Sequence, residues 1–246
     1  MIHNTAIIEP GARIGNNVKI GPFAYIHKNV IIGDNAEIGS YSELGIPTGL
    51  AKDSDLLIGS NSIIRSHSVL YQGSRIGSYF RTGHYVTVRE NSQIGEHVQL
   101  GSRTDVQGDC IIGRYTKCHA DVHIGKLSNV GNYVWLFPEV LLTNDPTPPS
   151  EELLGVTIND FTVVASKVLL MPGVTIGRDC LVGAASLIKE NVPDSKVVTG
   201  NPAKVICDVN ILRHHSNPKQ KAYPWRRRFH RGYSESDIQS WIEEFS

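Results

Sequence analysis

The chain is poor in long apolar runs, in surplus charge of either sign and in cysteine. No apolar stretch approaches the ~18 residues expected of a membrane span, so no membrane insertion is expected. Lysine plus arginine number 24 and aspartate plus glutamate also number 24, which leaves no global field to draw nucleic acid or an anionic bilayer. The opening MIHNTAIIEPGARIG lacks a basic stretch followed by an apolar core, so neither a signal peptide nor a transit sequence is expected. The four cysteines, Cys110, Cys118, Cys180 and Cys207, form no C-x-x-C pair and no secreted-scaffold spacing. Reduced thiols and a cytoplasmic location follow as expectations.

What is abundant is a repeat. An aliphatic residue, commonly followed by glycine, recurs every six positions: Ile8 to Leu44, then Ile58 to Leu142, then Ile158 to Ile188, twenty-eight hexads altogether. Two residues before each aliphatic sits a smaller one, as in Ala6, Ala12, Val18, Ala24, Val30, Ala36 and Ser42. Strand alternation sends both positions to the same side, so each hexad is predicted to be a short strand with two inward side chains. A Gly or Asn after the aliphatic is expected to permit a tight corner. Three hexads close one triangular coil, and stacked coils form parallel ladders. The predicted fold is all-β: a left-handed parallel β-helix of about nine coils spanning residues 1–206, followed by a tail (207–246) with a short helix. Cys110 and Cys180 occupy small inward slots and Cys118 an aliphatic one, which marks them as core residues rather than catalytic thiols.

The register breaks twice. Gly45 to Asp55 and Thr143 to Gly155 are expected to leave the prism as loops, and ordered loops on a regular scaffold commonly carry function. After Ile188 the segment NVPDSKVVTGNPAKVI is expected to leave the coils. In the tail, Ser234 followed by Asp237 reads as a helix start, and Ile238, Trp241, Ile242 and Phe245 share one helical face. The arginines of YPWRRRFHRGY (Arg226, Arg227, Arg228, Arg231) suit either packing or a diphosphate.

Residues eighteen apart should lie one above another, about 4.8 Å apart. This places Asp105 beneath His123, where a carboxylate can fix an imidazole's tautomer and raise its basicity. It places Lys126 beneath Asn144, Arg103, Asp121 and Glu139 in one charged column, and Tyr79, His97, Tyr115 and Tyr133 in an aromatic ladder. His119 points from a different face than His123. A γ-type carbonic anhydrase on the same fold needs three converging histidines, and no third one lies a whole number of coils from His119 or His123. A non-catalytic scaffold is the other reading from a different class.

The period-six pattern, the loop in mid-prism and the closing Gly200-Asn-Pro-Ala-Lys204 resemble the hexapeptide-repeat acyltransferases over roughly residues 5–206. IIEPGARIGNNVKIGPFAYI is similar to the lipid A UDP-N-acetylglucosamine acyltransferases. LFPEVLLTNDPTPPSEELLGVTINDFTVVASKVLLMPGVTIG resembles the nucleotide-amino-sugar N-acetyltransferases, within them those acting on a dTDP-linked 3-amino-3,6-dideoxyhexose. The resemblance implies a homotrimer with sites between prisms. It implies acetyl-CoA as co-substrate without a metal, lying along the C-terminal coils near Ala165, Gly183 and Ala184, with Lys189 or Lys204 at its phosphates. The nucleotide sugar would enter under the T-N-D loop, near Asp105, Lys126, Asn144 and Asp145. The lipid A enzymes carry a histidine base in an H-I-x-H pattern; here His123-Ile124-Gly125-Lys126 puts lysine in its place. A sugar amine needs less base assistance than a hydroxyl, so the proton is expected to fall to His123, or to Asn159, Asp160 and Glu139 as orienting acceptors. An O-acetyltransferase on a sugar, and an N-acetyltransferase on a 4-amino or UDP-linked sugar, remain open.

Overall fold

The computed structural model describes residues 1–51 and 54–246. All twenty-eight hexads are short strands, and they pair in parallel with the hexads one coil away. Three flat faces result. The first runs from Ile7–Ile8 to Leu187–Ile188 and holds ten strands; the second runs from Arg13–Ile14 to Thr175–Ile176 and holds nine. The third begins at Lys19–Ile20 and ends with Lys196–Gly200 and the antiparallel Ala203–Asp208, eleven strands in all. The register is the one the spacing predicts: Asp105 opposes His123 and Val106 opposes Ile124.

The solenoid has about eleven turns rather than nine. Ile2 bridges Ile20 and so adds a rung below the first run, six residues before Ile8. At the other end the chain does not leave the coils after Ile188. Val192 bridges Ile176, and Lys196–Gly200 pairs in parallel with Leu181–Val182, in a last coil shortened so that Val197 opposes Leu181. Shortening hides this rung from a search at strict period six. Only then does Ala203–Asp208 turn back antiparallel.

The interior is one continuous column of the two inward residues of each hexad. One hexad inverts the size order: Phe80 fills the small slot and is fully buried, and Thr82 stands where an aliphatic is usual. Cys110, Cys118 and Cys180 are buried in the column, and burial pushes their thiols up to about 11, about 12 and about 11. They are packing residues, as the register implied.

The corners are built differently from the expectation. The left-handed backbone falls three positions after the aliphatic, on residues such as Asn17, Tyr41, His97, Asp121 and Tyr133, with φ between 56° and 61°. The glycine directly after the aliphatic serves close approach instead. A Cβ on Gly59 would stand 2.4 Å from the amide nitrogen of Ser78 in the next coil.

The corner residues stack into ladders. Tyr79, His97, Tyr115, Tyr133 and Phe161 lie ring on ring at 4.4–5.3 Å between centroids. Phe23, Tyr41, His67 and Tyr85 form a second ladder along another edge. The C-terminal helix, Glu235–Glu244, docks on the upper end of the first ladder through Trp241, edge-on to Tyr133 and Phe161. Its N-cap is Ser234, whose hydroxyl accepts the Asp237 amide, as the sequence indicated. Ile242 departs from the predicted buried face and is half exposed. Arg226 is buried: its guanidinium donates to Asp179 at 3.0 and 2.7 Å and to Glu244 at 2.5 and 3.0 Å, and it lies 4.1 Å over the Phe161 ring. In the tail, packing has claimed Arg226, whereas Arg227, Arg228 and Arg231 stay exposed.

Candidate functional site

The first face carries the polar cluster. Parallel pairing sets Asp105 beside His123, and Nδ1 of His123 lies 3.1 Å from Oδ2 of Asp105, with both side chains about one-third exposed. Gln107, two residues on, donates its amide to the same Oδ2. Burial opposes ionisation of Asp105, but the hydrogen bonds from His123 and Gln107, and the Arg89 charge, outweigh it and hold the carboxyl below its ordinary value. At the adjoining corner Lys126 pairs with Asp109 at 3.0 Å. Asn144 stands one coil above and donates to the Lys126 carbonyl at 3.5 Å, so the register does survive to the T-N-D segment. Gln107 and Asp109 were missed by sequence reasoning. The signal was available: each lies eighteen residues before a corner position of the next coil, Gly125 and Leu127.

The second loop protrudes from the corner above this cluster, and Asp145 holds it together. Its carboxylate accepts from the Thr147 amide at 3.1 Å and from the Ser150 amide and hydroxyl at 3.0 and 2.7 Å. The Ser150 contacts, followed by Thr147, keep Asp145 below the usual carboxylate range. The amide of Leu154 returns to the Asn144 carbonyl at 2.7 Å and closes the base. The first expected loop, Gly45 to Asp55, includes Lys52 and Asp53, which lie outside the described residues.

The other sequence-selected residues stand elsewhere. Glu139 is exposed at the opposite edge of the first face, 3.7 Å from Lys167, in a column that continues Arg103 and Asp121, themselves paired at 2.6 Å. Asn159 and Asp160 lie at the corner between the second and third faces, away from His123. Asn159 donates to the Ile176 carbonyl at 3.0 Å, and Asp160 accepts the Asn132 amide at 2.7 Å. Both thus tie coils together. Ala165 and Gly183 follow third-face strands, and their amides are consumed by the Val182 and Val198 carbonyls. Ala184, Lys189 and Lys204 are exposed.

A groove away from this cluster was not foreseen. Between the third face and the tail, Trp135, Phe137, Val163, Tyr223, Trp225 and Phe229 line a groove of about 170 Å³. Lys117 sits 4.5 Å over Trp135 and 5.1 Å over Tyr233, and burial, followed by the Arg231 charge, lowers its affinity for a proton. His119 stacks on Phe137 at 4.6 Å; burial and then Lys117 lower its proton affinity too. Spacing puts Trp135 above Lys117, but only the folded tail supplies the opposite wall.

Models of the transferase hexapeptide repeat match two stretches: "bacterial transferase hexapeptide (six repeats)" over residues 11–45 and "hexapeptide repeat of succinyl-transferase" over residues 173–188. The chain is 32% identical over 89 residues to a galactoside O-acetyltransferase of Escherichia coli (strain K12), a match covering 33% of this chain and 44% of that protein. It is 36% identical over 59 residues to a 2,3,4,5-tetrahydropyridine-2,6-dicarboxylate N-acetyltransferase of Staphylococcus aureus (strain JH9), covering 24% of each. The chain thus spans less than half the length of these relatives. In three dimensions it resembles a UDP-N-acetylglucosamine acyltransferase of Arabidopsis, with a TM-score of 0.68 at 18% identity over 98% of this chain and 80% of that one. At that identity the likeness concerns the fold. No helix among the described residues is long and apolar enough to cross a membrane.

Proposed function

This chain belongs to the hexapeptide-repeat acyltransferase family, and on that premise we propose that it moves acetyl from acetyl-CoA to the amine of a nucleotide-linked amino sugar. The acceptor we favour is a dTDP-linked 3-amino-3,6-dideoxyhexose destined for a surface glycan such as O-antigen, acetylated in the cytoplasm by a homotrimer. The observation that carries the reading is the His123–Asp105 pair, 3.1 Å apart and open to solvent beneath the second loop.

Asp105, kept ionised by its neighbours, faces Nδ1 of His123 and favours the tautomer that leaves Nε2 free as an acceptor. The neutral amine attacks the thioester carbonyl carbon, the new C–N bond forms and the C–S bond breaks. The amine proton passes to Nε2 of His123, and the CoA thiolate departs to be protonated in turn. Lys126 and Asn144, stacked at the neighbouring corner, supply charge and hydrogen bonds to the sugar nucleotide. Asn159, Asp160 and Glu139 are weaker candidates for proton handling, since two of them already tie coils and the third stands at the other edge. Ala165, Gly183 and Ala184, with Lys189 or Lys204, remain our assignment for acetyl-CoA, through groups other than the two ladder amides already used.

A hydroxyl acceptor is the second reading. The same His–Asp pair suits it, because a hydroxyl needs a base more than an amine does. Release of free thiol from acetyl-CoA, followed with a panel of dTDP- and UDP-linked 3-amino and 4-amino sugars, separates the cases. Turnover with the dTDP 3-amino sugar alone supports the full proposal, and turnover with another amine corrects the acceptor. Thiol release only with hydroxyl sugars would transfer the enzyme to the second reading. His123→Ala should lower kcat about 100-fold or more at neutral pH if His123 is the base. Near-normal turnover in that variant would remove the base and leave positioning as the source of rate.

A further inference from the structure

The groove between the third face and the tail is the open side of the aromatic cluster that docks the tail on the coils. Five of its six walls are aromatic, and the polar handles of both its tryptophans are turned away from it. Trp225 Nε1 donates to the Phe161 carbonyl at 2.6 Å and Trp135 Nε1 to the Tyr233 hydroxyl at 3.0 Å. Trp135 packs edge to face on Trp225 at 76° and on Phe229 at 81°, which fixes the rings that border the groove. A closed core would fill such a space. Lys117 holds its ammonium over one wall, Trp135, and over Tyr233, and pairs with no carboxylate among the described residues. The exposed Arg231 adds a second positive charge beside it.

Apolar ring walls with two cations close by complement a flat ring that carries an anion. We propose that this groove seats a nucleobase, with the attached phosphates reaching Lys117 and Arg231. A volume of about 170 Å³ admits one planar ring system and leaves the ribose and phosphates outside, toward the cations. Aromatic stacking accepts any base, so the groove selects the class rather than the letter. The inference rests on the reading of the chain as an enzyme of nucleotide-bearing substrates. Two of them carry this chemistry, the sugar nucleotide and the adenosine bisphosphate end of CoA.

Two of the chain's three tryptophans line the groove, so intrinsic fluorescence reports on it. The full chain is titrated separately with dTDP, adenosine 3′,5′-bisphosphate, thymidine, adenosine and inorganic pyrophosphate. Saturable quenching by a nucleotide but not by pyrophosphate is expected. Whichever nucleotide binds more tightly identifies the source. Phe229→Ala should weaken nucleotide binding roughly tenfold or more by removing a wall. Lys117→Met, which removes the charge over Trp135 and keeps an unbranched apolar side chain there, should weaken the nucleotides by a similar factor while leaving the bare nucleosides unchanged. That split guards against a variant that has merely loosened the tail. Quenching by none of the nucleotides, equal response to pyrophosphate, or nucleotide binding untouched by both substitutions would overturn the proposal. Nucleotide quenching without thiol release from any acceptor would retire acetyl transfer and keep the groove. Thiol release with silent tryptophans would do the reverse.

Discussion

Substituting Phe80 tests how the column is packed. Its side chain is fully buried in a slot that elsewhere holds Ala, Ser, Thr, Val or Cys, with Leu56 the one other large occupant among the described residues. Two neighbours make the room: Thr82, next on the same inner surface, and Ser62, one coil below, also fully buried. Phe80→Ala therefore opens a void that three small residues cannot close, and a cost of about 3–5 kcal/mol is expected. Thr82→Ile adds bulk beside an intact Phe80 and should cost about 1–3 kcal/mol by overpacking. It also removes the hydroxyl that accepts the Arg65 amide at 2.8 Å. In the double variant the isoleucine enters the space the phenylalanine left, which restores the order of sizes found in most other hexads. The lost Arg65 partner is common to the single and the double variant, so the coupling isolates volume. The double variant should be less destabilised than the sum of the singles by at least about 1 kcal/mol. Urea unfolding followed by far-ultraviolet circular dichroism at one fixed protein concentration measures all four proteins. Additive losses, or a Phe80→Ala cost within the ~0.5 kcal/mol typical of surface changes, would refute compensation between the two slots.

Three further outcomes follow from the same geometry. Arg226→Met leaves Asp179 without its buried partner and should destabilise by about 3–5 kcal/mol, releasing the tail to limited proteolysis before the coils open; a tail as resistant as wild type would count against the pair. Gly59→Ala should lower the thermal midpoint, because its Cβ would meet Ser78 backbone, while Gly49→Ala, with nothing within 4 Å, should not; equal behaviour of the two would contradict the close-approach role of the repeat glycine. The folded Asp105 carboxyl titrates below its unfolded value, so its stabilisation is complete above about pH 4 and is lost as pH falls through the lowered folded value. Asp105→Asn should accordingly lose less stability than wild type between neutral pH and pH 3, and parallel acid curves would show that Asp105 contributes nothing there.

Much of the site was legible because a solenoid converts sequence spacing into spatial neighbours. Asp105 and His123 are eighteen residues apart and sit side by side, and Lys126 lies beneath Asn144 for the same reason. Spacing puts Asp109 beneath Leu127, and the side chains then pair it with the neighbouring Lys126 across the corner. Asn159 and Asp160 carry side chains suited to proton handling, yet the three-faced coil puts them at a corner away from His123 and spends them on coil-to-coil hydrogen bonds. The tail was legible in its helix, whereas its sequence did not tell which of its four arginines would be buried. Where it would dock was not, since nothing in its sequence carries the period of the coils.

The sequence by itself determined the repeat, the inward residues, the stacking register and the positions of the two interruptions. These follow from a six-residue period that each coil satisfies with its immediate neighbours. Tertiary structure decided what long-range contacts decide: the burial of Arg226 between Asp179 and Glu244, and the aromatic groove that Tyr223, Trp225 and Phe229 close over Trp135. Those contacts reach far along the chain, 47 residues from Arg226 to Asp179 and 98 from Trp135 to Tyr233. They depend on where a non-repeating tail finds the largest apolar surface to cover.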